Sequence, residues 1–153
     1  MYGKNDSKKF DTMCGNFNRT INQLLRIVVL KMPRDNADMW ILSNRVKLCI
    51  SVSQDELISR CWDKIYENKQ CIIDKDEMYL LNNDIEEKMV AKYIKKDESE
   101  DIMKTMIKNI KKLWPLSSPE EKNAVWEKLQ FLLNVTAEYM LYKGFFAKKI
   151  SES

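Results

Sequence analysis

A chain of 153 residues with 26 Lys and Arg against 23 Asp and Glu is long enough for one domain with a buried core, at a net charge of only +3. It contains no histidine, which excludes Ser-His-Asp triads, Cys-His pairs and His-ligated metals. Three glycines and three prolines cannot supply the turn every 8–12 residues, roughly, that a sandwich or barrel requires, so composition favours a few long helices.

The first element spans residues 11–31. Met13, Phe17, Ile21, Leu24 and Val28 recur every three or four positions and mark one helical face, which Leu25 and Met32 widen. Pro33 stops it. A second helix is predicted over 37–50, on Met39, Leu42, Val46 and Cys49. Ser53 through Glu56 fits a capping box that would open a third helix, with Leu57, Cys61, Ile65 and Tyr66 on its face and an end near Asn68. The very short link between the second and third helices predicts antiparallel neighbours.

Residues 71–81 read as a short helical turn with acids at its positive end. Asp74 and Asp76 stand at ligand positions one and three of a calcium loop. Met78, Tyr79 and Ile85 then occupy positions five, six and twelve, which excludes that site. Ile85, Met89, Val90 and Tyr93 predict a further helix over 83–96. Ser99 is positioned to cap the next, whose stripe is Ile102, Met103, Met106, Ile107, Ile110 and Trp114, ended by Pro115.

The last helix has the most complete boundary signals. Ser118 caps it, Pro119 takes the first turn, Glu121 completes the box and Gly144 sits where a C-terminal cap belongs. Val125, Leu129, Leu132, Leu133, Thr136, Tyr139 and Met140 form its stripe. Each stripe is too apolar to face water and too short to span a bilayer, so the stripes must cover one another. The predicted fold is all-α, a compact single-domain bundle of about six helices. Residues 1–10 are expected to form a flexible basic arm, 11–143 the bundle, and 144–153 a C-terminal tail.

No constellation for chemistry is apparent. Gly3, Gly15 and Gly144 are too scattered for a phosphate-cradling loop. Cys14, Cys49, Cys61 and Cys71 contain no closely spaced ligand pair, so they are read as buried or half-buried thiols in a reducing compartment. The acids cluster with lysines on polar faces, whereas an acid catalyst needs a buried carboxyl with a raised pKa. No cofactor and no metal are expected. Met1–Asp11 is polar, without the apolar core of a secretory signal, so the protein is expected in the cytosol or in an assembly built there.

Two kinds of surface remain. Lys104, Lys108, Lys111 and Lys112 fall opposite the apolar stripe of one helix and form a candidate face for phosphates or an acidic partner. The sequence pI of about 8.6 lies below the range above about 9 common among nucleic-acid-binding domains. Trp62 and Trp126 stand at the edge of their helices' faces, and Phe145 and Phe146 lie among Lys143, Lys148 and Lys149. Those four aromatics are candidates for protein contact.

Three blocks resemble a group of small helical proteins of nucleocytoplasmic large DNA viruses. One is Phe17-Asn18 with Ile21, Leu24 and Leu25 ahead of a proline-ended helix. Another is Asp76-Glu77-Met78-Tyr79-Leu80-Leu81, similar to an Asp-Glu-aromatic-aromatic-Leu block. The third is Trp114, Leu116, Ser117, Lys122, Val125-Trp126, Leu129-Gln130, Leu132 and Tyr139, similar to W-x-x-L-S…K-x-x-I-W-x-x-L-Q. The chain departs from the pattern at Met78-Tyr79 and Val125. The resemblance covers about residues 17–140. It implies an all-helical fold and a viral setting, and it carries no catalytic residues.

The expectation is therefore a non-enzymatic structural or protein-interaction protein, such as a minor capsid-associated or assembly component of a large DNA virus, with other virion proteins as partners. A nucleic-acid-binding accessory protein using the lysine face is the alternative. A host-directed bundle holding a partner helix is a second alternative.

Overall fold

The computed structural model describes residues 4–32, 36–82 and 102–144. Among them are seven α-helices and no strand. Helix α1 is Lys4–Lys31, and its buried face is Met13, Cys14, Phe17, Ile21, Leu24, Leu25 and Val28. It begins at Lys4, so most of the segment assigned to an N-terminal arm is helical. The mid-helix Gly15 serves no close approach, since a Cβ there would meet nothing within 4 Å.

Helix α2 is Ala37–Val52, started by Asn36, whose Oδ1 accepts the Met39 N–H at 3.3 Å. Helix α3 is Glu56–Glu67, and the capping box expected at Ser53 does not form. Ser53 is already in use as the C-terminal cap of α2, its N–H reaching the Cys49 carbonyl at 3.4 Å. Its hydroxyl donates to Asp55 Oδ1 at 3.0 Å, and Glu56 turns to Arg60 at 2.7 Å. With the Ser53 hydroxyl on Asp55 and the Glu56 carboxylate on Arg60, neither half of the box is made.

The short helical turn is in fact two helices, α4 (Lys69–Asp74) and α5 (Glu77–Asn82). Lys75, at φ 52°, breaks them apart in the left-handed region. The Asp76 N–H donates to the Cys71 carbonyl at 2.9 Å, and Asp76 Oδ1 accepts the Tyr79 N–H at 3.0 Å. Asp76 thereby ends one helix and starts the other. The helix expected over 83–96 and the cap at Ser99 lie outside the described residues.

Helix α6 is Ile102–Leu113, followed by a 3-10 turn over Trp114–Leu116 that accommodates Pro115. Helix α7 is Pro119–Lys143 and has the predicted ends. The Glu121 N–H donates to Ser118 Oγ at 3.2 Å while the Ser118 N–H donates to Glu121 Oε1 at 3.1 Å. Gly144, at φ 74°, closes the helix by donating to the Leu141 carbonyl at 3.1 Å.

Helices α1 and α7 run antiparallel along their lengths. Phe10 stacks on Tyr142 at one end, with ring centroids 4.6 Å apart. At the other end Lys31 pairs with Glu121 and donates to the Leu116 carbonyl at 3.3 Å. Helix α7 also packs on α3 and α4, and α6 packs against α1, α2 and α3. The core where they meet holds Phe17, Ile21, Leu24, Leu42, Leu57, Ile58, Met103, Met106 and Leu132, all essentially sealed from water. Each such side chain contributes roughly 1.5–3 kcal/mol through burial. This is an all-α bundle held by apolar packing.

Candidate contact surfaces

The four lysines of α6 do not share one exposed face. Lys108 and Lys112 are exposed and Lys104 is half-buried, but Lys111 is buried. One step beyond Ile110, Lys111 falls on the flank of α6 that lies near Cys71, whose thiolate its charge favours. A lysine stem can cover apolar surface in this way. The candidate basic face is therefore reduced to Lys104, Lys108 and Lys112.

The aromatics also divide. Trp126 is 4% exposed and meets the buried Trp114 edge to face, with centroids 5.4 Å apart at 77°. It belongs to the core and is no contact residue. Its place at the edge of the stripe is filled because α7 is packed on several sides at once, by α1, α3 and α4. Trp62 is half-buried and packs against the core. Phe145 and Phe146 lie outside the described residues.

Glu77 ties the short α5 to the end of the bundle. Its Oε1 accepts from Trp114 Nε1 at 2.5 Å and from Lys122 Nζ at 3.1 Å. Lys122 also sits 5.4 Å from the Trp114 ring. These two donors, Lys122 first, hold the Glu77 carboxyl below the usual glutamate value. The group is thus kept ionised as an anchor, opposite to the raised pKa that a proton donor uses.

The four cysteines are buried and none is in a disulfide among the described residues. Burial pushes Cys14 up to about 11 and raises Cys49 and Cys71 as well. Among the described residues no cluster of acids and cysteines could hold a metal ion, and no helix is long and apolar enough to cross a membrane.

The surface that sequence reasoning missed is the outer flank of α2. Trp40 is 65% exposed, Ile41 52%, Leu48 64% and Val52 63%. Ile41, Leu48 and Val52 follow at i, i+7 and i+11, which aligns them along one side of the helix. The core side is a separate stripe of Met39, Leu42, Val46 and Cys49. The signal was present in the sequence: α2 carries more apolar residues than one face can bury. Beside this flank lies a groove of about 320 Å³, with Leu48, Cys49, Val52 and Ile102 as its apolar lining and Arg45, Glu56 and Arg60 as its charged groups. The Arg60 guanidinium bonds Glu56 at 2.7 Å.

No family model, curated protein or solved structure matches this chain.

Proposed function

We propose that this chain is a non-enzymatic interaction protein that docks a protein partner on the outer flank of α2. The observation that carries this reading is the exposure of Trp40, Ile41, Leu48 and Val52 on a helix whose other side is core. Large apolar side chains gathered on one rigid helix are what a partner can cover, and tryptophan is favoured at such positions. Each is more than half exposed. Covering all four would contribute on the order of 5 kcal/mol before the cost of association. The resemblance to helical proteins of large DNA viruses supports seeking the partner among virion or assembly proteins. The nucleic-acid alternative rests on Lys104, Lys108 and Lys112 alone and is the weaker reading.

The test is affinity purification of the tagged full chain from its native setting, at low and high salt, with quantitative mass spectrometry and a nucleic-acid stain. Wild type is compared with Leu48→Glu and Lys108→Glu, each checked for helicity. A protein held by wild type and Lys108→Glu at high salt but lost from Leu48→Glu supports the reading. Equal recovery from all three sinks it. Nucleic acid that disappears at high salt and with Lys108→Glu transfers the function to α6.

A further inference from the structure

We propose a second docking site, independent of α2: the trough between the first turns of α1 and the last turns of α7, which binds an acidic amphipathic helix of a partner protein. The trough has a volume of about 810 Å³. Its apolar lining is Phe10, Met13, Leu141 and Tyr142, and Lys8 and Lys9 stand among its walls. Phe10 and Tyr142 are half-buried and stacked on each other, with their planes 24° apart, so this part of the lining is rigid. Leu141 is 67% exposed. An apolar side chain from a partner therefore meets preformed aromatic faces and an uncovered leucine.

Charge selects the occupant. Lys8 and Lys9 are exposed and form no ion pair among the described residues. The acid lining the trough is Glu138. Asp11, next in sequence, is engaged by Gln54, whose Nε2 donates to it at 2.7 Å. Two exposed lysines against one glutamate around an apolar floor call for carboxylates flanking apolar anchors. The shape selects a helix. Most of the lining residues are exposed, which makes the site an open trough and not an enclosed ligand cavity. An amphipathic helix seats its anchors at i, i+3, i+4 and i+7 in such a depression. A bilayer surface offers no ridge to fill it.

The probe is a fluorescein-labelled synthetic helix with leucines at i, i+3, i+4 and i+7 and glutamates on its other face. Its binding to the full chain is followed by anisotropy, beside a counterpart with lysines in place of glutamates. The acidic peptide is expected to bind and the basic one to fail. Lys8→Glu with Lys9→Glu should weaken binding at least about tenfold, and Leu141→Asp should do likewise. Leu48→Glu should leave it unchanged, which separates this site from the α2 flank. The proposal is overturned if neither peptide binds, if both bind equally, or if the lysine reversals have no effect. It is also overturned if removing residues 145–153 raises the affinity at least about tenfold, since the chain's own tail would then be the occupant. Capture by anionic vesicles without peptide binding would assign the trough to membranes. Concentration-dependent dimers abolished by Leu141→Asp would assign it to a second copy.

Discussion

Leu42 and Leu48 lie on the same helix, six positions apart, and their substitutions should differ several-fold in cost. Leu42 is 1% exposed and Leu48 64%. Leu42→Ala removes a sealed side chain from the junction of α2 with the core, so it loses transfer energy and leaves a cavity. The expected destabilisation is about 3–5 kcal/mol. In Leu48 only about a third of the side chain is out of water. A third of the roughly 2–3 kcal/mol for full burial is below about 1 kcal/mol, with no cavity to add. Alanine's slightly better helix propensity offsets part of that. Urea unfolding followed by circular dichroism would measure both, with unchanged slopes showing that only stability moved. If Leu48→Ala costs as much as Leu42→Ala, the outer flank is covered within the folded chain. That result would refute the exposure argument and remove the proposed contact surface with it.

Other outcomes follow from the polar contacts and the backbone. Glu77 and Glu121 have lowered pKa values, held down first by hydrogen bonds from Lys122 and Lys31 respectively. A depressed folded pKa means stability that is present above the ordinary glutamate value of 4.5 and lost as pH falls through the folded values. Urea midpoints should therefore drop below about pH 5, and the double variant Glu77→Gln, Glu121→Gln should flatten that drop. An unchanged pH profile in the double variant would contradict it. The buried thiols should resist a neutral thiol reagent in the native state and all react once the chain is unfolded. Rapid native labelling of Cys14 would show that its cover opens readily. Gly144→Ala should cost about 1–2 kcal/mol, because φ is 74° and an added Cβ meets nothing within 4 Å. A neutral result in thermal unfolding would mean that the end of α7 relaxes freely.

Features that depend on near neighbours in the chain were legible in advance. The boundaries of α7 are one case: Ser118, Pro119, Glu121 and Gly144 act within a turn of their own backbone, and all four do what their spacing predicts. The stripes of α1, α2 and α7 are another. Every residue named for α7 is buried, as are Met39, Leu42, Val46 and Cys49. Even so, local signals can compete. The Ser53 box is a sound pattern that does not form, because the Ser53 hydroxyl goes to Asp55 and the Glu56 carboxylate to Arg60.

The candidate contact residues were the least legible, because exposure belongs to the packing of several helices and not to any one of them. Trp126 and Lys111 both sit one step off an apolar stripe, where a residue is wet or dry according to what lies beside it. Trp114 covers the first, and the flank near Cys71 buries the second. Trp40, Ile41, Leu48 and Val52 are the converse, since composition alone would bury them and no described helix covers them. Composition and periodicity thus specify that this chain is a helical bundle, which residues line most of its core, and where its last helix starts and stops. The arrangement of the helices decides which flank of α2 stays open and which cations remain at the surface. Burial is a relation between elements brought together from distant parts of the chain, and a residue's own neighbours in sequence do not contain it.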